Sequence, residues 1–103
     1  MSVYMIVEIT VKDSELYSKY VDQVREIVEK HRGRYLARGG QVTPLSGNWN
    51  PERIILIEFE ADEQLQKCFG SPDYREIAVL REQFATSKSV VVEGCASPKR
   101  DAE

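Results

Sequence analysis

Three glutamates are the best candidates for catalytic chemistry in this chain, because each lies in a stretch with the composition of a β-strand. They are Glu8, Glu58 and Glu93. Like charges held close together disfavour ionisation, so one carboxyl of such a group can keep a raised pKa and act as a general base. The three are therefore candidate catalytic residues. The alternative is that they form structural ion pairs with Arg38 and Arg81, since such networks also perturb pKa values.

Arg38 is the candidate anchor for a ligand. A guanidinium can bind a carboxylate through two parallel hydrogen bonds, and the glycines that follow, Gly39 and Gly40, would let the backbone approach closely. A structural ion pair with one of the glutamates would use the same planar geometry. Both interpretations of Arg38 stay open on the sequence alone.

Aromatic and basic residues elsewhere could complete a ligand site. Tyr74 and Arg81 are seven residues apart, so about two helical turns place both on one helix face. Trp49 lies in a loop rich in Gly, Pro and Asn and could cover a pocket as a lid. Tyr4 shares the strand face of Glu8, because side chains alternate along a strand. Ordinary packing is the alternative role for each of these residues.

The chain contains little material for a metal or redox centre. His31 is its single histidine, and Cys68 and Cys95 match no metal-ligand or redox spacing. A divalent cation held by the glutamates would need about six oxygen ligands in close geometry. Nucleophile-elbow, phosphate-loop and dinucleotide-binding motifs do not occur. We therefore expect neither a metal nor a cofactor.

The composition is typical of one globular domain. Of the 103 residues, 42% are hydrophobic and 30% charged, which is enough for one core but not for two. The net charge of -3 provides no basic surplus for a nucleic-acid backbone. The apolar runs are far shorter than the roughly 20 residues that span a bilayer, and we find no signal segment. We expect a cytoplasmic protein with neither nucleic acid nor membrane as a partner.

The order of strands and helices predicts an α+β fold. Strand-forming residues occupy Val3 to Val11, Arg34 to Arg38, Arg53 to Glu60 and Ser89 to Glu93. Helical spacing and capping residues predict helices behind Asp13 as far as Gly33, over a short turn from Asp62 to Phe69, and from Pro72 to about Ala85. This order is that of a ferredoxin-like βαββαβ fold, a four-stranded antiparallel sheet with the helices on one face. We expect one domain over residues 1–95 and a disordered tail over residues 96–103.

Alternation along the strands separates two sheet faces. One face is wholly apolar and suits the helices: Val3, Met5, Val7, Ile9, Val11, Ile55, Ile57 and Phe59. The other mixes apolar and charged side chains: Tyr4, Ile6, Glu8, Leu36, Arg38, Ile54, Leu56, Glu58, Val91 and Glu93. A face exposed to water should be polar, and an apolar patch of this kind usually marks an interface. We predict a homodimer whose sheets pack face to face around a polar pocket, because unpaired charges are costly to bury.

Several segments of the chain resemble the DUF1330 family of small uncharacterised proteins. They are Tyr35 to Gly40, Arg53 to Phe59, Ser71 to Tyr74 with Arg81, and Val92 to Gly94. The resemblance implies the dimeric alpha/beta barrel fold, in agreement with the face analysis. It implies no activity, because one fold hosts unrelated chemistries.

These features predict a small-molecule-binding homodimer with a polar pocket between its sheets. One interpretation is a cofactor-independent enzyme that acts on a small organic acid or carbonyl compound, with Arg38 as anchor and a glutamate as base. The alternative is a non-catalytic binding or regulatory dimer whose polar cluster only fixes the dimer geometry.

Overall fold

The computed structural model describes residues 1–95, so the predicted tail over residues 96–103 lies outside the described residues. The elements in chain order are β1 (Val3–Val11), α1 (Ser14–Lys30), β2 (Arg34–Arg38), β3 (Arg53–Phe59), α2 (Asp62–Phe69), α3 (Pro72–Phe84) and β4 (Ala85–Glu93). The strands form one antiparallel sheet in the order β2-β3-β1-β4. This is the predicted ferredoxin-like arrangement. β4 is longer than predicted, because its pairing with β1 continues to Ala85, directly after α3.

Side-chain caps begin the two longer helices. The Asp13 carboxylate accepts a hydrogen bond from the Leu16 backbone N–H at 3.1 Å and so caps α1. Ser71 caps α3 by accepting from the Tyr74 N–H at 3.2 Å, and it also donates to the Cys68 carbonyl at 2.7 Å. One serine therefore connects the end of α2 to the start of α3.

The core lies between the helices and one face of the sheet, here called the covered face. Its buried sheet residues are Val3, Val7, Ile9, Ile55, Ile57 and Phe59, which confirms the predicted helix-facing set. Phe59, Val28 and Cys68 are fully enclosed. None of the helices in the described part of the chain has both the length and the apolar character needed to cross a bilayer.

The opposite face, here called the open face, carries no second layer within residues 1–95. It consists of Tyr4, Ile6, Glu8, Ile54, Leu56, Glu58, Val90 and Val92, placed by the pairing of β1 with β3 and β4. Val90 and Val92 remain 61% and 49% exposed. A row of apolar side chains thus faces away from the core.

Three residues predicted on the open face lie on the covered side instead. Directly opposed residues of an antiparallel pair share a face, and the register places Val91 opposite Met5 and Glu93 opposite Val3. Arg38 opposes Ile55, because the register of β2 shifts between Tyr35 and Ala37. Leu36 is the extra residue of this irregularity, and an inserted residue redirects the side chains that follow it. Strict alternation along β2 therefore assigns Arg38 to the wrong face.

Candidate functional site

A cavity lies within the chain, between the covered face of the sheet and helices α1 and α3. Its apolar wall consists of Met5, Val7, Ile9, Val21, Val24, Ile55, Ile57 and Phe69. Its polar wall consists of Tyr17, Tyr20, Tyr35, Tyr74, Arg38 and Arg81, and no carboxylate of the described residues lines it. The space available to the centres of water molecules is about 50 Å³. That is room for about four water molecules at 10–15 Å³ each, a size that suits a small ligand.

Two helices and one edge strand position the polar wall. Tyr17 and Tyr20 are one turn apart on α1 and belong to its buried stripe. Tyr74 lies in the first turn of α3, and the Ser71 cap holds that turn in place. Arg81 follows two turns later on the same helix face, as predicted.

A chain of hydrogen bonds crosses the cavity wall. The hydroxyls of Tyr20 and Tyr74 lie 3.2 Å apart, and Arg81 Nη1 donates to the Tyr74 hydroxyl at 3.1 Å. Both tyrosines are buried, at 8% exposure. The structure therefore brings Tyr74 and Arg81 together, and it adds Tyr20, which was not among the predicted site residues.

Two more guanidiniums lie over tyrosine rings at the cavity. The Arg38 guanidinium carbon is 4.9 Å from the centre of the Tyr35 ring, and that of Arg53 is 5.2 Å from the centre of the Tyr17 ring. Within residues 1–95, no carboxylate lies within ion-pairing distance of Arg38, Arg53 or Arg81. The Arg53 Nε is buried and has no hydrogen-bond partner there. No acid among residues 1–95 therefore balances the positive charge at this site.

Burial keeps three of the cavity tyrosines protonated. It raises the pKa of Tyr35 to about 12 and moves the pKa of Tyr17 and Tyr20 above the ordinary tyrosine value. The cationic guanidiniums of Arg53 and Arg38 partly oppose this effect on the pKa of Tyr17. At neutral pH these side chains are neutral hydrogen-bonding groups.

The predicted glutamate cluster does not form. Glu58 pairs with Tyr4, which lies four residues from Glu8 along β1, so the backbone positions of the two glutamates are about 13 Å apart along the strand at the usual rise. Glu93 lies on the other side of the sheet, opposite Val3. No three His, Cys, Asp or Glu side chains in the described ranges lie close enough to hold a metal ion.

Glu8 and Glu58 each have partners on the open face. Glu8 accepts a hydrogen bond from Trp49 Nε1 at 3.2 Å and lies 3.6 Å from Lys88 Nζ. Glu58 accepts from the Tyr4 hydroxyl at 3.4 Å and forms an ion pair with Arg34. Hydrogen bonds from the Ser2 hydroxyl and the Arg34 guanidinium lower the pKa of Glu58. This is opposite to the raised pKa expected of a general base, and Arg38 is the partner of neither glutamate.

The remaining predicted ligand contacts lie outside the cavity. Tyr4 and Trp49 contact glutamates of the open face, and Trp49 is 55% exposed. Gly39 has a φ of +80°, and a Cβ there would be 3.1 Å from Arg53 Nη1, so this glycine makes room for that guanidinium. Gly40 has no neighbour within 4 Å of the equivalent position. Of the seven predicted ligand residues, only Arg38, Tyr74 and Arg81 line the cavity.

Sequence reasoning missed three tyrosines that line the cavity, Tyr17, Tyr20 and Tyr35. It also missed Arg53, whose guanidinium lies over the Tyr17 ring. Tyr17 and Tyr20 occur in the apolar stripe of α1, whose spacing indicates a buried helix face. A usable signal was present, because a buried tyrosine normally needs a partner for its hydroxyl. Two tyrosines in one buried stripe therefore indicate a polar element inside the core.

A comparison with models of protein families identifies the family of this chain. The model of DUF1330, a domain of unknown function, matches residues 2–95. This chain belongs to the DUF1330 family. A search of curated proteins finds no match to this DUF1330 chain.

Solved structures similar to this DUF1330 chain share its fold at low sequence identity. A protein of unknown function from Rhodopseudomonas palustris is 17% identical, with a TM-score of 0.75, over 93% of this chain and 84% of that one. A dabb family protein with a ferredoxin-like fold from Mesorhizobium loti is 14% identical, with a TM-score of 0.70, over 92% and 98%. SnoaB, a cofactor-independent oxygenase from Streptomyces nogalater, is 11% identical, with a TM-score of 0.66, over 94% and 96%. At these identities the similarity establishes the fold alone.

Proposed function

We propose that this DUF1330 chain binds a small organic acid in the cavity between its helices and its sheet, and that it does so as a homodimer. The observation that carries the binding proposal is the group of guanidiniums at the cavity without carboxylate partners among residues 1–95. A partly buried charge that lacks a counter-charge is costly, and an anionic ligand would relieve that cost. Arg38 is the anchor in this proposal, as it was on the sequence alone.

The cavity favours binding over base catalysis by a glutamate. Its lining consists of tyrosines, arginines and apolar residues, and none of these types ordinarily gains or loses a proton near neutral pH, as a general base must. The cofactor-independent oxygenase among the similar structures is consistent with an enzymatic use of such a cavity without a bound group. An enzyme of this architecture would have to catalyse its reaction with tyrosine hydroxyls and cationic guanidiniums, because no glutamate of the described residues lines the cavity.

Homodimer formation would use the open face. Ile6, Ile54, Leu56, Val90 and Val92 form an apolar surface there, flanked by Glu8 with Lys88 and by Glu58 with Arg34. Contiguous apolar surface with a polar rim is typical of protein interfaces. In this arrangement each chain keeps its own cavity, because the cavity lies on the covered side.

Titration of the chain with propionate and butyrate, followed by ¹⁵N-HSQC NMR, tests the binding proposal. We expect dissociation constants in the millimolar range, since ligands of a few heavy atoms gain only about 4 kcal/mol. Arg38→Ala should weaken binding about 10- to 100-fold, because charge-assisted hydrogen bonds contribute about 1.5–3 kcal/mol. Arg75→Ala is the matched control, because Arg75 is exposed on α3 and its substitution removes the same charge as Arg38→Ala. Equal losses in both variants, or no binding by the wild type, would overturn the proposal.

A further inference from the structure

The hydrogen-bond chain at the cavity has one phenolic proton that no contact among residues 1–95 uses. Tyr20 and Tyr74 contribute two hydroxyl protons, and a single O···O contact of 3.2 Å joins them. That contact uses one proton, whichever hydroxyl donates. Arg81 adds a further donor to the Tyr74 oxygen and accepts nothing. One phenolic proton is therefore left without an acceptor among residues 1–95.

The direction of the chain identifies Tyr20 as the holder of the spare proton. A cationic donor on the Tyr74 oxygen makes that oxygen a poorer second acceptor and makes the Tyr74 O–H a stronger donor. Tyr74 then donates to Tyr20, and the Tyr20 O–H is free to donate into the cavity, which both rings line. Because burial raises the pKa of Tyr20, the proton stays in place at neutral pH.

We propose that the ligand is an oxo acid: a small carboxylate that also carries a carbonyl oxygen, which accepts the spare proton of Tyr20. A buried donor without an acceptor costs free energy, so the cavity is matched to a ligand that supplies one. A carbonyl oxygen only accepts, which suits a wall whose guanidiniums only donate. This inference rests on the proposed function, since it assumes that the acid group of the ligand is held at Arg38.

Two matched ligand pairs test the inference by NMR titration: propionate with pyruvate, and butyrate with acetoacetate. Each pair differs by one carbonyl group. We expect the wild type to bind at least one oxo acid about fivefold more tightly than its partner, since a neutral hydrogen bond contributes about 1 kcal/mol. The double variant Tyr20→Phe/Tyr74→Phe should reduce this ratio to about one, because it removes both phenolic donors from the cavity wall. Circular dichroism shows whether the double variant is folded, since the change removes the contact between the two hydroxyls together but leaves Arg81 Nη1 without its acceptor.

The single variants test the assignment of Tyr20. Tyr74→Phe should keep most of the oxo preference, whereas Tyr20→Phe should lose it, because the proposed donor to the carbonyl oxygen is then absent. The reverse pattern would overturn the assignment. A preference that is absent in the wild type, or that survives in the double variant, would overturn the oxo-acid inference itself. In that case acid binding that still depends on Arg38 would leave the proposed function standing, whereas no acid binding at all would remove both.

Discussion

The position of Arg38 depends on one extra residue in a five-residue strand. Regular alternation from Arg34, which faces Glu58 on the open face, would also place Leu36 and Arg38 on that face. The irregularity at Leu36 changes the phase, and Arg38 arrives opposite Ile55 on the covered side. The Arg38 guanidinium therefore lines the tyrosine cavity and lies on the opposite side of the sheet from Glu8 and Glu58.

Gly33 is a residue whose missing side chain allows close packing, and this leads to a stability prediction. A Cβ at Gly33 would lie 2.6 Å from Val28 Cγ1 and 2.7 Å from Phe59 Cε1, both on fully buried residues. We expect Gly33→Ala to lower the free energy of unfolding by about 1–3 kcal/mol through overpacking. Urea denaturation at equilibrium measures this change.

Gly40→Ala is the control for that substitution. A Cβ at Gly40 meets nothing within 4 Å, and its φ is not in the left-handed region. Its stability should stay within about 1 kcal/mol of the wild type, with any gain arising from the less flexible unfolded chain. Equal effects at Gly33 and Gly40 would contradict the packing argument.

At the scale of elements, the junction between α2 and α3 positions one side of the cavity. α2 ends at Phe69, Ser71 bridges to the next helix, and Tyr74 enters the wall from its first turn. Phe69 packs edge-on against the Tyr74 ring, with ring centres 4.9 Å apart. The junction of α2 and α3 thus holds the tyrosine that joins Arg81 to Tyr20.

Removal of the Ser71 cap should weaken this junction. Ser71→Ala loses the bond from the Tyr74 N–H and the bond to the Cys68 carbonyl, so we expect a loss of about 1–2 kcal/mol of stability. Thermal unfolding followed by circular dichroism provides the measurement. Ser18→Ala, at an exposed position inside α1, should be neutral or slightly stabilising because alanine has the highest helix propensity. A Ser71→Ala variant as stable as Ser18→Ala would show that the cap contributes nothing.

For the whole molecule, the two faces of the sheet have separate tasks. The covered face builds the core and the cavity, whereas the open face carries an apolar surface that a second copy of the chain would bury in the proposed homodimer. Substitutions on the open face should therefore leave the cavity unchanged, and substitutions at the cavity should leave the proposed dimer surface unchanged.

A lysine on the open face should separate the proposed dimer. Val90 is 61% exposed on β4 and Val79 is 62% exposed on α3, so Val90→Lys and Val79→Lys make the same chemical change at equal exposure. Burial of an unpaired ammonium in an interface costs several kcal/mol. By sedimentation velocity at micromolar concentration, the wild type and Val79→Lys should have twice the mass of the 11.8-kDa chain, and Val90→Lys should be monomeric. A monomeric wild type would refute the dimer without affecting the cavity proposal.

The order of elements was predictable because its signals are local. Alternation in β1 and β3, the caps at Asp13 and Ser71, and the spacing of apolar residues along α1 each depend on a few neighbouring residues. The composition of both faces of β1 and β3 followed from the same alternation. Tyr74 and Arg81 were also paired correctly, since helical spacing alone brings them together.

By itself, the sequence determined the ferredoxin-like order of elements, the buried face of β1 and β3, and one pair of residues at the cavity. Only the tertiary structure decided which residues meet across strands. The run of valines from Val90 to Val92 shows no alternation, so its phase came from the pairing with β1. A single extra residue at Leu36 moved Arg38 to the opposite face. Facing depends on register with a partner strand, and register is a property of the assembled sheet, since a shift of one residue exchanges its two sides.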